Sequence, residues 1–356
     1  MSSISRKSFL KLCMSGLLGM GFSSRSRSKE GYFQLPGPIG RIASDEKDIF
    51  IYQKPDEESD IVRKTSFDEL INIYYQKEIL VEEDHYHTWY RVWGGYLPGS
   101  YVQPTYYQLN KPLKTVPECG QLAEITVPFT QSFKYHKNDG WEKYFRLYYG
   151  TTHWVTGKRT GPDQRTWYKI TSEWAPSLHY FVPREHLRPI PDAEYIPLSI
   201  DVPPQEKRVE VSLIEQKMIA YESNKPVKTC SVSTGLGYKE VPEGTATPIG
   251  RFDVTSKHPT RHMGGLEPGS VDEIPGGYAL PGVPWATFFI SETGVAFHGT
   301  YWHNNFGHRM SHGCINMKTE DAKWLFRWVN PPYNPPYRDH CDWETHGRGT
   351  SVIIYN

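Results

Sequence analysis

The 356-residue chain lacks an excess charge of either sign: Lys plus Arg and Asp plus Glu number 40 each. With no net field to draw it toward a polyanion, a nucleic-acid partner is excluded as an expectation. Paired cysteines are also missing. The five, at positions 13, 119, 230, 314 and 341, stand too far apart for a CxxC zinc site or dithiol redox motif. The sequence therefore predicts neither metal nor cofactor. Finally, the apolar N-terminal stretch Phe9–Phe22 is about 14 residues long, short of the roughly 20 that span a bilayer as a helix. No second such segment follows it.

Aromatic residues are plentiful at 14%, and 30 Gly and 28 Pro are scattered along the chain, a composition that suits short strands and many turns. Arg6 and Lys7 precede the apolar stretch, and the polar run Ser23–Glu30 follows it, as in an export signal. Ser5–Lys11 resembles a twin-arginine signal in which the second arginine has become lysine. The expectation is an exported protein of the cell envelope or cell wall, tethered there if the signal stays uncleaved, with no other transmembrane segment. Outside that signal, a disulfide is open to Cys119, Cys230 and Cys341, with no pairing favoured.

Short alternating runs such as Asp48–Tyr52 and Leu70–Tyr74, separated by polar turns, make residues 31–104 a small β module. Their order, through Trp89–Val92 and Gly95–Leu97, resembles a bacterial SH3-like domain. Residues 105–195 have the same texture and read as a second, divergent SH3-like module. A Pro-rich linker at 196–206 leads to a third domain, 207–356, that opens with three strands at Arg208–Leu213, Lys217–Tyr221 and Val227–Ser233. One helix stands out: Thr319-Glu320-Asp321 supplies an N-cap and acidic first turn, Ala322, Leu325, Phe326 and Val329 share a face, and Pro331 ends it. Ser351–Tyr355 closes the chain with strand character. The predicted fold class is mainly β with one principal helix. Lys257–Tyr278, rich in Gly and Pro, reads as a loop long enough to cover a cleft.

The chemistry concentrates in Ala296–Met317, AFHGTYWHNNFGHRMSHGCINM. A thiol attacks acyl carbon as thiolate, so Cys314 needs a histidine to take its proton. His298, at the end of a strand, and His312, two residues from the cysteine, both qualify on spacing. Gly313 gives a nucleophile turn its backbone freedom, and the amides of Gly313 and Cys314 are candidate oxyanion donors. A zinc reading of His308 with His312 has the spacing of helical ligands, but the surrounding Gly and Ser favour a loop, and no acidic base accompanies them.

His298-Gly299-Thr300, then Ser311-His312-Gly313-Cys314-Ile315-Asn316 with fifteen residues between His298 and Cys314, resembles the signature of the L,D-transpeptidase, or YkuD, family. Thr234-Gly235, the run Gly244–Phe252, the helix from Asp321 and Gly349–Val352 extend the resemblance over 207–356. It implies a cysteine acyltransferase in which Cys314 attacks the third residue of a peptidoglycan stem, releases D-alanine and passes the acyl group to an amine, giving 3-to-3 crosslinks. It further implies that His298 is the base, Gly299 orients it by its carbonyl, His312 supports the site, and Gly313 with Cys314 forms the oxyanion hole. Ser311, Arg309, Asn316, Tyr278, Trp285 and Tyr301 are the candidate substrate contacts, and carbapenem-type β-lactams the expected inhibitors. An L,D-carboxypeptidase, a D-amino-acid exchange enzyme and a non-catalytic wall-binding protein are the alternatives. The segment between Val329 and Gly349 departs from the family's compact pattern.

Overall fold

The computed structural model describes residues 37–44, 46–82, 85–237, 245–265, 278–334 and 341–356. The signal at 1–30, Gly244 and most of the proposed cleft-covering loop lie outside them. The fold is mainly β, and Thr319–Trp328 is the α-helix among the described residues.

In the first region Ile39–Ile42 pairs with Leu70–Asn72 and Val102–Thr105, and a five-stranded sheet is built around Ile49–Tyr52 and His85–Val92. Alternation buries Ile42, Ile49, Ile51, Tyr90, Val92 and Leu97 as one core. The second region forms a single seven-stranded antiparallel sheet between Gln121 and Pro189. The two regions share strand texture, not sheet layout.

The third region packs two five-stranded sheets against each other. One holds β1 (Lys207–Ser212), β2 (Lys217–Glu222), β3 (Lys225–Ser231), β4 (Gly250–Asp253) and, at the chain's end, Ser351–Tyr355, which runs parallel to β1 with Val209 opposite Val352. The other holds β5 (Ser256–Gly264), β6 (Ala279–Ile290), β7 (Val295–Gly299), β8 (Ile315–Met317) and, at the edge beside β5, the two-residue strand Thr345–His346. Val209, Val211, Met218 and Val352 from the first meet Phe289, Phe297, Ile315 and Met317 from the second. Helix α1 (Thr319–Trp328) covers this core with Ala322, Leu325 and Phe326. Each such fully buried large side chain contributes about 1.5–3 kcal/mol.

Three expectations change. Thr319 is the first helical residue rather than the cap: Lys318 holds the extended N-cap position, with no side-chain bond to the helix, while Asp321 pairs with Lys228. The cleft-covering loop begins with a strand, since β5 zips onto β6 from Ser256 to Gly264. The third is the segment after Val329. Tyr333 inserts against Phe326, Trp343 stacks on Trp154 with ring centroids 5.1 Å apart, and Cys341 is disulfide-bonded to Cys119. It therefore ties the second region to the third. Cys230 stays free.

Candidate active site

β7 and β8 run parallel with Phe297 opposite Ile315, His298 opposite Asn316 and Gly299 opposite Met317. Phe297, Ile315 and Met317 enter the core, so His298 and Asn316 share the other face. Cys314 immediately precedes β8, in the bend that brings the chain back beside β7. The fifteen-residue excursion between the two catalytic candidates thus returns to the neighbouring strand.

His298 is 2% exposed. Its Nδ1 lies 3.2 Å from its neighbour's carbonyl oxygen, that of Gly299, a contact that places the proton on Nδ1 and leaves Nε2 as the basic nitrogen. Burial lowers its pKa to about 4, a fall the Gly299 bond only partly opposes. A side chain at Gly299 would collide with Pro284 and Thr319, at 2.8 and 3.1 Å from its Cβ. Glycine there is what lets the start of α1 approach β7.

The Ser311–Cys314 turn is held from several directions. Ser311 Oγ accepts the Gly313 amide at 3.2 Å and donates to the Cys314 carbonyl. Thr247 Oγ1 donates to the Gly313 carbonyl at 2.8 Å and accepts the Gly235 amide at 2.9 Å. Gly313 has φ +122°, in the region that favours glycine. Gly235 is pressed so closely that a Cβ would lie 2.1 Å from the Thr245 carbonyl oxygen. Thr234-Gly235 and the run through Thr247 therefore act as scaffolding for the nucleophile turn.

Cys314 is half-buried, with Sγ 3.6 Å from the Gly294 carbonyl. Burial pushes the thiol up to about 11, against the opposing Ala296 amide. At neutral pH the site holds a thiol and a neutral imidazole, not an ion pair. His312 is exposed, and its ring centroid lies 6.0 Å from that of Tyr278. Tyr278 is 41% exposed, and its pKa is raised by burial and then by Cys314. Tyr278 thus lies within electrostatic reach of the thiol, with His312 beside it.

The other candidate substrate contacts have partners within the protein. Arg309 donates to the carbonyls of Gly235 and Leu213, both at 3.1 Å, and so clamps the turn. Ser311 is buried in its own turn. Asn316 is 1% exposed, and its side-chain nitrogen stands 2.8 Å from His303 Nε2 while its oxygen has no partner. Because the Asn305 amide already donates to His303 Nδ1 at 3.2 Å, Nε2 must carry the proton. The Asn316 amide is then oriented with its oxygen on His303. Trp285 is a core residue against Phe326, and Tyr301 is buried, stacked on Tyr148. Their aromatic bulk serves packing. The Gly313 amide, bonded to Ser311, does not point into the site.

Two further contributors lie outside the motif. His303 is buried neutral behind His298, its pKa lowered to about 3 by burial and then by His298. Arg41 donates to the Tyr301 carbonyl from 260 residues away, and nothing local marks it. Among the described residues no three His, Cys, Asp or Glu side chains are grouped to hold a metal. His308 and His312 lie in turns, not on a helix.

Residues 206–354 match the family model described as YkuD, L,D-transpeptidase catalytic domain. No curated protein matches the chain significantly. Among solved structures, the catalytic domain of an Enterococcus faecium L,D-transpeptidase is similar at 24% identity, covering 42% of this chain and 98% of its own, with a TM-score of 0.30. An L,D-transpeptidase, LdtMt1, in complex with imipenem is 18% identical over 71% of this chain and 90% of its own, with a TM-score of 0.31. L,D-transpeptidase 3 from Mycobacterium tuberculosis, solved with a faropenem-derived adduct, is 18% identical over 72% and 91%, also at 0.31. By the family match, residues 206–354 of this chain form a YkuD-type L,D-transpeptidase catalytic domain.

Proposed function

We propose that the protein is an exported peptidoglycan L,D-transpeptidase with Cys314 as nucleophile and His298 as general base. The observation that supports this reading is the parallel pairing of β7 with β8, which sets His298 opposite Asn316, two residues from Cys314. His298, neutral down to about pH 4, accepts the Sγ proton as sulfur attacks the carbonyl of the third stem residue. The carbon–nitrogen bond to terminal D-alanine then breaks, and imidazolium returns the proton to the leaving amine. A thioester remains on Cys314. The side-chain amine of a neighbouring stem attacks it, forming the new amide and restoring the thiol.

The Cys314 amide is assigned to the oxyanion, because the Gly313 amide is engaged by Ser311. Removing one such donor typically costs about 3–4 kcal/mol of barrier. Gly299 fixes the imidazole tautomer, and Tyr278 with His312 borders the entrance. Carbapenem-type β-lactams offer the same kind of electrophilic carbonyl to Cys314. The first two regions are read as SH3-like modules that carry this site on the wall.

The test is intact-protein mass spectrometry with disaccharide tetrapeptide, or with imipenem, on wild type, Cys314→Ala and His298→Ala. A covalent adduct on wild type alone, with crosslinked dimer in solution, is expected. Turnover by Cys314→Ala would sink the proposal, and a harsher effect of His312→Ala than of His298→Ala would move the base to His312.

A further inference from the structure

Outside the apolar core that it shares with the catalytic domain, the second region also grips β5 near its end. Glu173, between the strands Thr166–Thr171 and His179–Pro183, accepts the backbone amide of His262. The Arg261 guanidinium lies 5.2 Å from the ring centre of Trp174, and the His262 ring packs 5.5 Å from Phe145 and 6.1 Å from Trp174. Glu173 is not a surface charge: burial raises its pKa, with the His262 amide opposing. A buried carboxyl carries a desolvation cost and calls for a partner that needs it.

The pairing of β5 with β6 supplies that need. Arg261 stands opposite Val283 and Met263 opposite Leu280, so two residues of β6, Pro281 and Gly282, face His262 alone. This is a β-bulge, which bends a hairpin and re-aims its end. Proline has no amide proton, and His262 has no partner in the register. The His262 donor is instead satisfied from the second region. Gly282, with φ +74°, presses on the same region: a Cβ there would lie 2.2 Å from the His153 ring. Both sides of the bulge are therefore held from outside the catalytic domain.

Past the bulge, contacts run to the thiol. His262 Nε2 lies 2.6 Å from the Gly265 carbonyl oxygen, and the Gly265 amide donates to the Tyr278 carbonyl at 2.8 Å. Gly264 is pressed so tightly on that carbonyl that a Cβ would lie 1.8 Å from its oxygen. The Tyr278 ring then stands 6.0 Å from that of His312, two residues before Cys314.

We propose that Glu173, by holding the bulged His262 amide, sets the position of Tyr278 at the entrance to the thiol, so that the second region tunes acyl transfer without touching substrate. Glu173 is a positioning residue. The part played by Tyr278 rests on the transpeptidase reading; the hold on the bulge rests on geometry alone.

The experiment is a double-mutant cycle on the full chain, with imipenem acylation of Cys314 followed by intact-protein mass spectrometry. Glu173→Ala should acylate about tenfold more slowly than wild type, and Glu173→Gln, which keeps an oxygen acceptor, should recover most of the rate. Because Glu173 acts through Tyr278, Glu173→Ala combined with Tyr278→Ala should be no slower than Tyr278→Ala alone, whereas a general loosening of the fold would add to it. In wild type, hydrogen exchange should find the His262 amide protected, a measurement that requires no variant. A wild-type rate in Glu173→Ala, additive losses in the double variant, or an unprotected His262 amide each overturns the proposal. No acylation of wild type, with that amide protected, would instead count against the transpeptidase reading alone.

Discussion

The first and second regions meet the catalytic domain through seams of opposite chemistry. The first docks with polar groups: Arg41, 1% exposed, donates to Asp68 at 2.9 Å, to Gln103 at 2.9 Å and to the Tyr301 carbonyl, and lies 4.1 Å over the Tyr148 ring. Asn304 adds bonds to Ser100 and Gly99. The second docks with apolar ones. Leu122, Trp154 and Ile190 belong to the same core as Val209 and Phe297. A buried charge network demands one geometry and penalises any other, whereas shared apolar burial supplies stability with little directional demand. The polar seam grips the loop that joins His298 to the nucleophile turn. The apolar seam holds the domain together.

Breaking the apolar seam should have the largest effect. Trp154→Ala empties a site buried to 1% and removes the partner of Trp343, so a loss of about 3–5 kcal/mol is expected in denaturant unfolding. The second and third regions should still melt together. Two separate transitions would show that they do not share a core.

Arg41→Met should cost less stability, about 2–4 kcal/mol, because Asp68 keeps Arg146 as a partner. It should nevertheless slow imipenem acylation about tenfold through misplacement of the loop. Arg41→Lys should not rescue the rate, since one ammonium cannot serve Gln103, Asp68 and the Tyr301 carbonyl together. Unchanged acylation in Arg41→Met would reduce this seam to a tether.

The finest comparison uses pH. His153 in the apolar seam and His303 in the loop have pKa values lowered by burial to about 3, and His298 to about 4. An unfolded histidine takes up a proton near 6.5. The stability these neutral rings contribute is therefore complete above that pH and is lost as pH falls toward 3–4, at up to about 1.4 kcal/mol per pH unit for each. His153→Gln should flatten the decline in melting temperature between pH 6.5 and 4.5 by about one proton. An unaltered slope would mean that His153 is already charged in the fold.

The parts that were legible in the sequence are those where chemistry is local. His298, Gly299 and the Ser311–Cys314 turn lie within seventeen residues, and the strands of the catalytic domain show their two-residue alternation. What the sequence hid depends on distance. Thr247 supports Gly313 from 66 residues away and Arg41 reaches Tyr301 across 260, and neither carries a pattern of its own. Trp285 and Tyr301 show the same limit, because an aromatic residue near a motif fits a cleft wall and a packed core equally well. Only the neighbours Phe326 and Tyr148 decide between them.

The Cys119–Cys341 bond, between residues 222 apart, has a topological effect distinct from its contribution to stability. It closes a covalent ring that contains His298, Cys314 and the whole of α1. A single proteolytic cut anywhere within that ring opens it but leaves one covalently continuous molecule. Such a cut would go unseen on a non-reducing gel by fragment mass and would appear as two pieces only after reduction.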